Sequence, residues 1–265
     1  MSLVRVMGII NVTPDSFSDG GIFFDPAAAK EQADELVAAG ADLLDVGGES
    51  TRPYADPVSL EQELARVIPV IQAIRAHHTL PISIDTTKAE VARQALAAGA
   101  GIINDISALR SDPQMIDLVR QTDVPLIIMH MQGTPADMQQ APSYTDVVAE
   151  ICDFFRERLA WLEGQGVDLE RVTIDPGIGF GKSQAHNLTL LKHLSSLTAL
   201  GRPVLLGHSR KRFIGELTGL PPGERDQATA VLSALAVAQG VSIIRVHDVA
   251  ATRQAVRLAE AVLAA

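Results

Sequence analysis

The sequence predicts an α/β protein of the (β/α)8 barrel class. Three observations point there. Short apolar strands alternate with helical stretches along the whole chain, which implies a parallel sheet. The strands are continuous runs of Ile, Val and Leu, as strands covered on both faces should be. The strand–helix units number eight, at about 33 residues each. Eight units closing on themselves give a barrel, and 265 residues is an ordinary length for one. An open doubly wound sheet is disfavoured, because no GxGxxG follows the first strand. No linker or low-complexity stretch divides the chain, so residues 1–265 read as a single domain.

Taken in order, Val4–Asn11 is the first strand, and it feeds a polar, Gly-rich loop, Val12–Gly21. Pro26 starts a helix that Gly40 ends. Leu43–Val46 is the second strand, GGESTRP follows, and Leu60–Arg75 is helical. The third strand ends on Asp85. Thr86 and Thr87 are the expected caps of the next helix, with Glu90 three residues after Thr87. Val91, Ala92, Ala95 and Leu96 recur at helical spacing until Gly99 stops the helix. Gly101–Ile103 is the fourth strand, running out on Asn104 and Asp105. A short helix over Pro113–Gln121 precedes the fifth strand, Pro125–Met129, and Val147–Glu163 is a longer helix. Val172–Ile174, Val204–Leu206 and Ile243–Val246 are the last three strands, with helices over Leu188–Leu194, Arg225–Gln239 and the C-terminal stretch.

Composition narrows the function. A formal net charge of −10 argues against a nucleic-acid or anionic-membrane partner. No apolar run is long enough to span a membrane, and no signal peptide is visible. The single cysteine, Cys152, permits no internal disulfide and fits a reducing cytoplasm; beside Phe154 and Phe155 it reads as a buried bystander.

Barrel enzymes build their sites at the C-terminal ends of the strands. There this chain carries Asn11, Asp45, Glu49, Thr51, Arg52, Asp85, Asn104, Asp105, His130, Asp175, Lys182, Ser209, Lys211, Arg245 and His247. Asp85, Asn104 and Asp175 follow strands three, four and six. Two acceptor-only carboxylates and an amide suit a planar heterocycle bearing an amino group and a ring N–H, with Asp175 matched to a guanidine-like edge. The plainer reading of an Asp after a strand is a cap for the next helix. Ser209, Lys211, Arg245 and His247 lie on units seven and eight, where barrels bind phosphate. The plainer reading is a solvated basic run, HSRKR. The Val12–Gly21 loop suits closure over a substrate. Asn11 at its base offers an oxygen to Mg2+ carried by substrate phosphates. GIGFGKS (Gly177–Ser183) is a decoy for a P-loop, because Pro176 stands where the first glycine is needed.

The strings MGIINVTPDSFSDGG, DVGGESTRP, SIDT, INDIS, MHMQGTPADMQ, DPGIGFGK, GHSRKRFIG and RVHDV resemble bacterial dihydropteroate synthases, a family of pterin-binding TIM barrels. The resemblance implies a transferase of folate biosynthesis that joins (7,8-dihydropterin-6-yl)methyl diphosphate to 4-aminobenzoate, giving 7,8-dihydropteroate and diphosphate. It implies a pterin pocket of Asp85, Asn104, Ile106, Met129, Asp175, Phe180, Gly207 and Lys211. It places diphosphate against Asn11, Arg245 and His247, with Mg2+ at Asn11. It assigns 4-aminobenzoate, and sulfonamides that mimic it, to Phe17, Thr51, Arg52, Pro53, Phe180, Ser209 and Lys211. Asp85, Lys211 and Arg245 would carry the chemistry. Tyr54 and Arg212 depart from the usual pattern beside the aminobenzoate end.

The resemblance also implies a homodimer, with the apolar helix Ala230–Gln239 near its interface. The pterin-binding domain of methyltetrahydrofolate–corrinoid methyltransferases is the nearest rival reading, and has no diphosphate to expel. A non-catalytic pterin-binding homologue should have lost Lys211, Asp85 or the first loop. A Schiff-base aldolase would use Lys211 as its amine.

Overall fold

The structure, a computed structural model, describes residues 4–13, 26–50 and 57–265. The strands are β1 (Arg5–Asn11), β2 (Leu43–Gly47), β3 (Ile82–Asp85), β4 (Ile102–Asp105), β5 (Leu126–Met129), β6 (Val172–Asp175), β7 (Leu205–Leu206) and β8 (Ile243–Val246). They pair in parallel, in the order β6-β5-β4-β3-β2-β1-β8-β7. Its two ends meet: Ile174 bridges Val204, and the Ile174 N–H reaches the Pro203 carbonyl at 2.9 Å. The sheet therefore closes into a barrel, with a thin seam between β6 and β7.

Among the described residues ten helices surround it: α1 (Pro26–Ala38), α2 (Leu60–His77), α3 (Ala89–Ala98), α4 (Met115–Gln121), α5 (Val147–Gly164), α6 (Gln184–Lys192), α7 (Leu194–Thr198), α8 (Arg212–Thr218), α9 (Asp226–Val237) and α10 (Val249–Ala264). No helix of the described residues is long and apolar enough to cross a membrane.

Side-chain alternation along the strands organises the interior. Residues two apart share a face. Val6 and Ile10, Leu44 and Val46, Ile82 and Ile84, and Ile244 and Val246 pack outward in one large cluster with the helices. Met7, Leu43, Ile102, Ile127, Leu205 and Ile243 form a separate cluster inside the barrel. Two residues further along, the same inward face carries Asp45, Asn104, Met129, Gly207 and Arg245. An apolar plug thus fills the lower barrel, and a layer that is mostly polar sits on top of it.

Local chemistry accounts for the helix ends. Gly99 closes α3 in the left-handed conformation at φ 114°, as expected. The expected threonine cap is not there. The N-cap of α3 is Lys88, without a side-chain cap bond; Thr86 Oγ1 accepts the Lys88 N–H, and Asp112 from the next loop takes the Ala89 N–H at 2.8 Å. Helix α6 starts earlier than the apolar pattern indicates, because Ser183 and His186 form a reciprocal cap. Helices α7 and α8 are additional to the eight units.

Candidate active site at the C-terminal rim

Arg245 is the hub of the site. It stands on β8 with its side chain 20 % exposed, donating Nε to Asp45 Oδ2 at 2.6 Å and Nη2 to Asp85 Oδ2 at 3.0 Å. Nη1 makes no hydrogen bond among the described residues. Asp45 is fully buried and also accepts Asn104 Nδ2 at 3.3 and 3.4 Å. Asp45 thereby joins β2 to β4 and β8, and Arg245 brings in β3 through Asp85. Burial and then the Asp45 charge push Asp85 up to about 7, against the pull of Arg245. Burial works against the Arg245 charge, but Asp45 and Asp85 outweigh it and hold the guanidinium proton more firmly than usual.

The second half of the site is built from the loops after β6 and β7. Asp175 ends β6, buried, with Oδ1 accepting the Gly177 N–H at 2.8 Å. The helix-capping reading does not hold, because Ser183 caps the next helix and this oxygen serves a loop turn. The other faces Gly207, whose added Cβ would lie 3.6 Å from Asp175 Oδ2 and 3.9 Å from Arg245 Cδ. Burial raises the pKa of Asp175, opposed by Lys211, the Gly177 N–H, Arg245 and Lys182. Lys211 Nζ donates to the Ile178 carbonyl and lies 4.2 Å from the Phe180 ring centroid. Burial brings Lys211 down to about 7, with Asp175 resisting and Arg245 assisting. Ser209 Oγ and His247 Nδ1 lie 2.9 Å apart, and Ser209 Oγ accepts the His247 N–H at 3.2 Å. Ile106, Met129, Met131 and Met138 form an apolar wall, with Phe180 against it.

Only glycine lets the 176–182 loop cross the end of β5. Gly177 has φ +66°, and a Cβ there would sit 1.9 Å from the His130 carbonyl oxygen. Beneath that loop lie two residues expected on the rim. Lys182 is buried, its Nζ 2.9 Å from the Phe180 carbonyl and 3.0 Å from His130 Nδ1. Burial lowers Lys182 well below its usual range, and burial with Lys182 and Arg110 takes His130 down to about 2. They brace the loop from below.

Asp105 is likewise structural, accepting the N–H groups of Ser107 and Leu109 at 2.7 and 3.0 Å. Glu49 accepts Lys88 at 2.6 Å and the Val58 N–H at 3.1 Å. Of HSRKR, only Arg212 is a solvated base, 87 % exposed and paired with Glu216. Asn11 ends β1 beside Gly47, which pairs in turn with Asp85. Phe17, Thr51, Arg52, Pro53 and Tyr54, with most of the Val12–Gly21 loop, lie outside the described residues. No group of three or more His, Cys, Asp or Glu among the described residues could hold a metal. Asn11 fits Mg2+ only as one protein oxygen among phosphate oxygens and water, which is how that ion is usually bound beside phosphates.

The sequence profile of the pterin binding enzyme family matches residues 7–247. The dihydropteroate synthase of Escherichia coli is 47 % identical over 265 residues, covering 100 % of this chain and 94 % of that one. The chain belongs to the dihydropteroate synthase family. The Xanthomonas albilineans dihydropteroate synthase solved with 7,8-dihydropteroate superposes with a TM-score of 0.90 at 50 % identity, covering 99 % of this chain and 95 % of that one. The Yersinia pestis enzyme solved with a sulfonamide drug superposes at 0.94, with 42 % identity and coverage of 99 % and 95 %. Within the dihydropteroate synthase frame the structure adds two features. Asp45 stood on the rim in sequence but had no assigned task; the signal was a charge inside an apolar strand, LLDVG, two residues after an inward leucine. The backing of the 207–211 loop by α9 had no signal in local sequence.

Proposed function

We propose that this chain transfers the 7,8-dihydropterin-6-ylmethyl group from its diphosphate to 4-aminobenzoate, giving 7,8-dihydropteroate and diphosphate. The observation that carries the reading is the division of the rim. Acceptors on β4 and β6, the Asn104 amide and Asp175 Oδ2, suit the donor-rich pterin edge. Lys211, Arg245 and the Ser209–His247 pair suit the diphosphate. Ile106, Met129 and Phe180 give the ring an apolar slot, and Gly207 leaves room between acceptor and cation.

The C–O bond to diphosphate breaks with its electron pair leaving on oxygen, as the cations take up that charge. The electron-rich dihydropterin supports a cation at its exocyclic carbon, and Asp85 supplies a facing negative charge. The neutral arylamine attacks, a C–N bond forms, and the amine proton leaves to water. Asn11 would hold Mg2+ against the diphosphate, where the ion supplies further charge neutralisation to the leaving group. Phe17, Thr51, Arg52 and Pro53, with Ser209, Phe180 and Lys211, form the proposed arylamine and sulfonamide site.

Incubating the protein with both substrates should release diphosphate and dihydropteroate in equal amounts, and Arg245→Ala should cut that turnover at least a hundredfold. Release of neither product would overturn the reading. Normal kinetics of Arg245→Ala would remove β8 from the diphosphate site. A corrinoid methyltransferase role has no use for the cation cluster.

A homodimer is supported by the apolar face of α9 and α10, where Val231, Leu235, Leu258 and Val262 are 58, 60, 69 and 76 % exposed. Leu258→Glu should shift the sedimentation coefficient towards that of a monomer. A cytoplasmic setting is supported by the lone, buried thiol of Cys152.

A further inference from the structure

Ser209 and Lys211 enter the site from either side of Arg210. The Arg210 backbone is left-handed at φ 57°, a strained conformation for a residue with a Cβ. The Lys211 N–H closes the turn on the His208 carbonyl at 3.3 Å, and the remaining partners of Arg210 come from residues 225–229. Arg225 donates Nη1 to the Arg210 carbonyl at 3.0 Å and to the Lys211 carbonyl at 3.4 Å. Its Nε donates to the Leu220 carbonyl at 2.9 Å. Thr229 Oγ1 accepts the Arg210 N–H at 3.2 Å, and both Asp226 oxygens take the Arg210 guanidinium at 2.7 Å.

The Arg210 and Lys211 carbonyls belong to the two peptide planes that flank the Lys211 Cα. Pinning both fixes the direction of the Lys211 Cα–Cβ bond. Arg225 itself is seated in a notch of α8, where a Cβ on Gly215 would lie 2.0 Å from Nη2. Arg225 meets none of the rim side chains described above.

We propose that Arg225 is a positioning residue for this site: seated over Gly215, it holds the left-handed turn at Arg210 and so aims Lys211 at the substrate. The role rests on the proposed function. It differs from ordinary stabilisation, because the pinned peptides carry the working side chain of Lys211. Arg253 is the matched control. Its guanidinium donates to the Gly40 carbonyl at 3.0 and 2.7 Å, at the opposite end of the barrel.

The test measures turnover, affinity for inorganic diphosphate by calorimetry, and thermal midpoint for Arg225→Ala, Gly215→Ala and Arg253→Met. Arg225→Ala should lose at least tenfold in kcat and several-fold in diphosphate affinity, and low guanidinium chloride should restore part of both. Gly215→Ala keeps every hydrogen-bonding group but evicts Arg225, so it should reproduce the defect and decides the matter if Arg225→Ala fails to fold. Arg253→Met should lower the thermal midpoint and keep wild-type turnover. The role is overturned if folded Arg225→Ala or Gly215→Ala has wild-type kcat and diphosphate affinity. It is equally overturned if Arg253→Met loses the same activity for the same loss of midpoint. A wild-type protein that binds diphosphate but forms no dihydropteroate overturns the functional reading alone, and the diphosphate titrations still decide Arg225.

Discussion

Arginine serves this barrel in two opposite ways, as a clamp on carbonyls and as a partner of carboxylates. At the N-terminal end, Arg75 donates to the Gly99 and His78 carbonyls, and Arg171 to those of Thr122, Val124 and Val119. Arg202 and Arg253 do the same for Leu169 and Gly40, each adding one carboxylate. These carbonyls sit where helices hand over to strands, and most of them have no backbone donor of their own. A carbonyl does not titrate, so such clamps are permanent. At the centre of the other end Arg245 is held by carboxylates instead. Those partners carry charge, and the Asp45 charge helps to raise the pKa of Asp85. The same side chain is a fastener against carbonyls, as Arg225 is at the rim, and a responsive group against carboxylates, and its partner makes the difference.

The sharpest way to break this contrast is Asp45→Asn, which leaves Arg245 half-held and Asn104 facing an amide. Removing one partner of a buried pair costs about 3–5 kcal/mol. We expect turnover to fall beyond a hundredfold and the urea midpoint to drop; a stable, active variant would show that Asp45 is not the anchor. Asp175→Asn acts on one ligand contact, turning an acceptor into a donor that faces donors. A mismatch of about 1–3 kcal/mol should weaken pterin binding by about 5- to 150-fold in a folded protein, and unchanged calorimetric affinity would remove Asp175 from the pterin edge. Arg171→Met probes the fastener side. It should cost about 2 kcal/mol of unfolding free energy, with kcat within twofold of wild type; a large loss of kcat would erase the distinction between the two uses.

The smallest effect is in pH. Asp85 holds its proton up to about 7 when folded, against about 3.9 for a free carboxyl. The folded state therefore binds more protons between those values. This contribution to stability is complete below about pH 4 and lost as pH rises through about 7, at no more than about 1.4 kcal/mol per unit. The difference in urea stability between wild type and Asp85→Asn should shrink or reverse from pH 5 to pH 7. A difference that stays flat over that window would mean Asp85 is ionised throughout.

Much of the fold was legible, because each strand is an apolar run and each helix has its own period. What escaped was non-local. The cap of α3 is completed by Asp112, 23 residues away from Ala89, where the sequence offered Thr86 and Thr87. Helix α8 hides inside a basic run that reads as loop. For the site, residue types at strand ends marked the rim correctly, but their pairing was invisible: Arg245 and Asp45 are 200 residues apart. Lys182 and His130 carried the right chemistry at the right height, and burial made them braces. Ser183–His186 shows a milder limit, a capping pair whose second member is not the usual Glu or Gln.

The seam between β6 and β7 would give a pterin bound as proposed a mechanical office. Elsewhere around the barrel, neighbouring strands are laced by ladders of backbone bonds, but here one bridge at Ile174 and Val204 does the joining. Asp175 stands at the lip of one strand, and the loop bearing Lys211 leaves the other. A pterin held as proposed by both side chains would tie the two lips together and reinforce the thinnest join in the circumference.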